Sequence, residues 1–264
     1  MEKFIDKQLK RVSRQERRLM KDQRESWISY RTRPAREKLD AAIPDKLKST
    51  LETAFYKGFK LVFEKGAPVI DKTYNKEKIL LQHEARDEIF MDAPTHRNLN
   101  KVHRRAKNAG SANTLITAVE GGALGLLGIG LPDIPLFIGM LMRTLHETGL
   151  SYGVDTDLYE ERIYALLLIC AALTENEERR SFNHKILLFE KRQQNGISLG
   201  MNLEDQIKET AAVLSQALLT AKFVQGLPVV GVVGGAVNYA VTRKVSNFAR
   251  LKYKKRYLLA KINE

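Results

Sequence analysis

Five side chains able to do chemistry interrupt an apolar stretch in the middle of this 264-residue chain: Asp133, His146, Glu147, Tyr152 and Asp155. Carboxylates beside an imidazole could act as general acid and base, or ligate a divalent metal. The spacing argues against one metal. His146 and Glu147 are adjacent, so on a helix their side chains diverge by about 100°. No second histidine lies four residues from the first, which removes the zinc-protease pattern. A structural role accounts for the same residues: Asp133 and Asp155 each precede a helical pattern and could cap it. The histidines His83, His96, His103 and His184 are scattered along the chain.

Other catalytic signatures fail on their chemistry. The glycines between Gly121 and Gly130 are not followed by Gly-Lys-Ser/Thr, so no nucleotide phosphate loop forms. No serine sits in a Gly-x-Ser-x-Gly elbow. Cys170 lies in Leu-Leu-Leu-Ile-Cys-Ala-Ala-Leu, where apolar surroundings keep a thiol protonated and inert. One cysteine allows neither an internal disulfide nor a cysteine-based zinc site. No cofactor and no metal is expected, and no reaction is encoded that these motifs would reveal.

The elements that position these residues read as helices throughout. Periodic apolar residues predict a long charged helix over 3–31, with Ile5, Leu9, Val12, Leu19 and Trp27 on one stripe that Glu16 and Gln23 interrupt. Arg33-Pro34 breaks it. Helices follow from Pro44 to Gly66, over 76–91, and as a basic helix through Lys107. Further helices are predicted over 136–149, 157–173, 175–192, 203–224 and 228–260. The fold class expected is all-α, a multi-helix bundle in which two glycine-rich apolar helices pack as a hairpin or central pair.

Those two segments are Gly121–Met142, with one charge, and Phe223–Thr242, with none. Gly121 and Gly125, like Gly231 and Gly235, stand four apart and share a helix face, where backbones can approach closely. A bilayer core needs about 20 apolar residues in a helix. Pro132, Asp133 and Pro135 interrupt the first segment; Gln225, Pro228 and Asn238 dilute the second. The same composition serves either a tight protein core or contact with lipid.

Charge is partitioned along the chain. The net charge is +13. Residues 1–110 carry 27 Lys and Arg against 16 Asp and Glu; residues 111–174 carry 2 against 7; residues 175–264 carry 15 against 8. Two basic ends flank an acidic, apolar middle. This excludes a disordered acidic chain and a polytopic membrane protein, and it favours phosphate-bearing partners. From Arg243 onward Lys and Arg dominate, and Arg243, Lys244, Lys252, Lys254, Lys255 and Arg256 are the expected contacts to anionic lipid. Charges recur from Glu2 to Arg36, so no signal-peptide core is expected there, and a cytoplasmic location follows.

Gly121-Gly122-Ala123, Leu131-Pro132-Asp133-Ile134-Pro135, His146-Glu147 and Ser151-Tyr152-Gly153-Val154-Asp155 resemble the core signature of the EcsC protein family. The later Gly-Leu-Pro-Val-Val-Gly and Gly-Gly-Ala-Val-Asn-Tyr resemble its second glycine-rich helix. The resemblance covers about residues 100–250, which divides the chain into a basic N-terminal helix (1–33) and an EcsC-like helical domain (34–264). It implies a bacterial cytosolic or membrane-associated protein, of a family named for a protein encoded beside an ABC-type transporter, and it implies no reaction. The reading that results is a non-enzymatic, lipid- or membrane-binding helical protein. Its rival is a soluble enzyme or small-ligand-binding protein using Asp133, His146, Glu147 and Asp155. Nucleic-acid binding has basic charge in its favour but no recognised fold signature.

Overall fold

A computed structural model describes residues 1–20, 43–66, 74–108, 133–197, 200–224 and 235–263. Every element among them is helical. In chain order these are α1 (Glu2–Met20), α2 (Asp45–Leu61, extended by a π-helical turn Val62–Gly66), α3 (Lys76–Asp92) and α4 (96–108). Then come α5 (Asp133–Leu150), α6 (Tyr159–Leu173), α7 (Asn176–Gln194), α8 (Leu203–Val224) and α9 (Gly235–Asn263). The all-α expectation is met.

Side-chain caps start several helices where the sequence offers them. Asn75 Oδ1 accepts from the Lys78 N–H at 2.7 Å, and Thr95 Oγ1 from Asn98 at 3.2 Å. Asn202 Oδ1 accepts from Glu204 and Asp205 at 2.8 and 3.2 Å. Each satisfies a donor that a helix start leaves without an intrahelical acceptor.

The helix at the centre is α6, which contains no glycine. Its residues from Ile163 to Ala172 are all buried, as befits a helix apolar all round. It packs on α7, α8 and α9; α8 also packs on α2, and α9 on α1 and α5. Cys170 on α6 is buried and shares a hydrogen bond of 3.3 Å with Thr210 Oγ1. Burial pushes its thiol up to about 12, which makes it inert.

The glycine-rich pairing falls mostly outside the described residues, Gly121, Gly125 and Gly231 included; Gly235 opens α9. The described ends of both apolar segments turn toward protein. Ile134, Phe137, Ile138 and Leu141 on α5, and Val237 and Val241 on α9, belong to the core. Of Phe223–Thr242, the described residues are the end of α8 at Val224 and the start of α9 at Gly235; residues 225–234 lie outside the described residues. Among the described residues no helix is long and apolar enough to cross a membrane.

Helix α1 lies against α9, with Ile5 and Val12 in the common core. Glu16, which breaks the apolar stripe in sequence, is buried and ion-paired to Lys252, and bonded to Lys255 at 2.6 Å. The residue that looks like a flaw in an exposed helix fastens that helix to the other end of the chain. The expected boundary at 33/34 lies outside the described residues.

Candidate functional site

Within the central polar cluster, Glu147 and Asp155 are engaged by different partners. Glu147 is buried and takes a hydrogen bond from Arg143 Nε at 2.7 Å, one helical turn away. Asp155 is exposed. Its Oδ1 accepts the Asp157 N–H at 3.1 Å and lies 3.4 Å from Lys76 Nζ. The backbone donor, aided by Lys76, holds its carboxyl below the usual range. Asp155 thus closes a turn and does not cap α6, which begins at Tyr159 without a side-chain cap. His146 is buried on α5, and Asp133 is the first residue of that helix. No group of three His, Cys, Asp or Glu among the described residues could hold a metal ion.

The cations expected to meet lipid divide by helical phase. Lys252, Lys255 and Arg256 are directed to carboxylates of the chain itself. Lys252 is fully buried and also donates to Asn183 Oδ1 at 2.6 Å. Arg256 grips Glu161 at 2.5 and 3.0 Å and lies over the Tyr164 ring. The Glu16 carboxyl resists burial, yet Lys252 and Lys255 outweigh that and hold it below its ordinary value. Arg243 and Lys244 remain exposed, and Lys254 is half-buried.

Arg243, Asn247, Arg250 and Lys254 follow one another at intervals of four, three and four, so they form a single outward stripe on α9. Opposite it stand Arg18 of α1 and Arg104 and Lys107 of α4. Together these elements enclose a cleft of about 780 Å³. Its described lining includes Arg18, Arg104, Lys107, Arg250 and Lys254 and no acidic residue. Arg18, Arg104, Arg250 and Lys254 form no ion pair with any described residue. Burial, Arg250 and Arg11 together push the Lys254 ammonium down to about 8.

His103 and Tyr152 complete the lining, their rings 5.6 Å apart between centroids. Neither ring nitrogen of His103, nor the Tyr152 hydroxyl, has a hydrogen-bond partner among the described residues, and all three atoms are buried. The end of α5 fixes Tyr152. The Gly153 N–H donates to Leu150 O at 3.0 Å and the Val154 N–H to Gly149 O at 3.1 Å, the pair of bonds that ends a helix in a Schellman turn. Gly153 has φ +76°, and a Cβ there would lie 2.5 Å from His83 Nε2, so only glycine fits. A second cleft, of about 540 Å³, lies on the far side of Tyr152. Its charges are already satisfied: Arg256 by Glu161, and Lys261 by Asp87 at 2.8 Å.

The sequence profile of the EcsC protein family matches residues 6–258, nearly the whole chain. The chain belongs to the EcsC protein family. The match takes in α1, which the sequence resemblance left outside. A curated Bacillus subtilis (strain 168) protein, "Uncharacterized protein YdbA", is 26% identical over 273 residues, covering 98% of this chain and 95% of its own length. No solved structure matches.

In this EcsC chain the cationic cleft draws on residues that motif reading passes over. His103 appears as one scattered histidine, and Arg104 and Lys107 as part of a basic helix. A usable signal was present: on α4, as on α9, the basic residues repeat at three and four and share a face. The surroundings of His103 make a testable pH effect. Burial, then Lys254 and Arg250, depress its imidazole to about 3, against an ordinary 6.5. Between those values the unfolded chain takes up a proton that the folded chain refuses, so stability falls as pH drops through this window. In His103→Phe the drop is shallower, by a few kcal/mol at pH 4. Urea unfolding of both proteins at pH 7.0 and pH 4.0 measures the difference; equal losses contradict the buried, cation-flanked histidine.

Proposed function

We propose that this protein is a non-enzymatic, peripheral binder of anionic membrane surfaces. The observation that supports the reading is the cationic cleft between α1, α4 and α9, with no acid among its described lining residues, prolonged along α9 by exposed Arg243 and Lys244. Clustered cations attract phosphate-bearing surfaces, at about 1 kcal/mol per Lys or Arg near an anionic leaflet. The cytoplasmic face of a bacterial membrane supplies such a surface. An ABC-type transporter is the protein partner this reading carries over from the family resemblance.

Vesicle co-sedimentation tests it. Pelleting should rise with the phosphatidylglycerol content of phosphatidylcholine vesicles and fall as salt is raised from 50 to 500 mM, conditions that shorten the screening length. Replacing both Arg243 and Lys244 by Gln should weaken partitioning about thirtyfold. Equal pelleting with neutral and anionic vesicles sinks the reading. The rival enzyme has no observation in its favour, since Glu147 and Asp155 are engaged by separate partners.

A further inference from the structure

We propose that the cleft between α1, α4 and α9 is a binding site for a single phosphomonoester group, held by Arg104, Arg250 and Lys254 and hydrogen-bonded at its floor by His103 and Tyr152. The inference rests on the reading above for where the ligand is met. It differs in kind, because a surface that senses only charge needs no shaped recess.

Three features of the cleft go beyond diffuse attraction. The cations converge from three helices that are far apart in sequence, so the fold concentrates like charge where dispersing it would be favourable. Folding alone does not explain this, because mutual repulsion and partial burial both disfavour the arrangement. A dianionic group placed between them removes that repulsion. The second feature is guanidinium content: Arg18, Arg104 and Arg250 present planar, multiply donating forks suited to a group with several terminal oxygens. A phosphomonoester offers three such oxygens; a phosphodiester offers two.

The third feature is the floor. Tyr152 is only 4% exposed, and its hydroxyl has no partner among the described residues. Both nitrogens of His103 are in the same condition. A buried polar atom without a hydrogen bond is costly, and native folds rarely keep three side by side. The imidazole is neutral at neutral pH, so one ring nitrogen donates and the other accepts. The Tyr152 hydroxyl stays protonated because burial raises its pKa. Both groups are therefore donors to a phosphate oxygen. The αL glycine at position 153 holds Tyr152 in this place, which gives the Tyr152-Gly153 pair a role at the cleft.

Titration calorimetry of the full chain with inorganic phosphate and with sulfate, and vesicles of phosphatidic acid against phosphatidylglycerol at matched surface charge, test the site and separate its sources. Saturable binding of both inorganic anions is expected, with tighter binding to phosphatidic acid vesicles than to phosphatidylglycerol. Tyr152→Phe, which keeps the ring and the packing, should weaken phosphate about tenfold. Arg104→Gln, on an exposed position that folding does not use, should weaken it by tenfold or more. Circular dichroism and melting of both variants show whether they fold as the parent does. Binding of phosphate and sulfate but of no vesicle leaves the site standing for a soluble phosphomonoester and removes the membrane reading. Binding of all anionic vesicles alike, with no inorganic anion bound and no effect of Tyr152→Phe, overturns the site and leaves surface docking. A gel shift with DNA at 150 mM salt that outcompetes phosphate, and that Arg104→Gln abolishes, also overturns it.

Discussion

Glu16→Ala lowers the melting temperature by about 6–20 °C, the largest destabilisation expected from any single exposed-looking charge in the chain. Burial sets the size of the effect. Lys252 is fully buried, and its ammonium is held by Glu16 and by Asn183 Oδ1 at 2.6 Å. Truncating Glu16 leaves that charge in the interior with one neutral partner, and breaking such a pair costs about 3–5 kcal/mol. The second ammonium, Lys255, loses its partner at the same time. Helix α1 then keeps its apolar contacts through Ile5 and Val12 and the Arg179 hydrogen bond to Leu19 O at 3.0 Å, but loses its buried ion pairs. The signature is a double variant: Glu16→Met with Lys252→Met should recover most of the loss, because an apolar pair needs no neutralisation. The pH dependence has a definite sign. The Glu16 carboxyl titrates below its ordinary 4.5 in the folded chain. Its stabilisation is complete above pH 4.5 and disappears as pH falls through the lowered value. Thermal melts of wild type and Glu16→Ala at pH 7 and pH 3 should therefore converge at the acid end. A gap of unchanged size would mean that α1 is held by packing alone.

Glu16 also shows what was legible in the sequence and what was not. Apolar period alone reveals α6, because a run from Ile163 to Ala172 has no polar face to expose and must be central. It reveals α1 as a helix but misplaces Glu16, since a charge on an apolar stripe reads as exposure unless its partner is known. That partner lies 236 residues away. The division of the α9 cations is hidden for a related reason. Taken as a tail they form one basic block. Taken by helical phase they separate, with Val245, Ala249, Lys252 and Arg256 at intervals of four, three and four along the inward face. Arg243, Asn247, Arg250 and Lys254 repeat the same intervals on the outward face. Spacing was therefore enough to divide the cations into two sets, but deciding which set faces the core requires the acids on other helices, Glu16 and Glu161. The cluster around Tyr152 was visible as polar residues in an apolar stretch. In the fold Tyr152 meets His103 from α4, while Glu147 and Asp155 are engaged by Arg143 and Lys76, partners that spacing along the chain does not reveal.

Lys254→Met raises the melting temperature and weakens anion binding in the same protein, and this opposition is the mark of a charge kept for a ligand. Lys254 is half-buried with no ion-pair partner among the described residues. Facing it are Arg250 on its own helix, Arg11 on α1, and the neutral His103 on α4. Burial and these cations depress its ammonium from 10.5 to about 8. Below pH 8 the folded chain carries the full cost of that charge. The cost is relieved as pH climbs from 8 to 10.5, where the folded chain is neutral at this position and the unfolded chain is still protonated. The shift corresponds to about 3 kcal/mol, reduced to about 2 kcal/mol by solvent screening of a partly exposed group. Methionine keeps the apolar stem and removes the charge, so at pH 7 the melt should move up by about 4–8 °C. The gain should shrink toward zero by pH 10.5. Sulfate, which does not titrate in this range, reports the other half. Its affinity for the wild type should fall as pH rises above 8, and in Lys254→Met it should be weak at every pH. A bound anion lowers the repulsion among Lys254, Arg250 and Arg11, so saturating sulfate should raise the wild-type melt at pH 7 and leave the variant unmoved. If Lys254→Met melts lower than wild type and binds sulfate as well, the ammonium is a structural group, and the cleft is no receptor for phosphate.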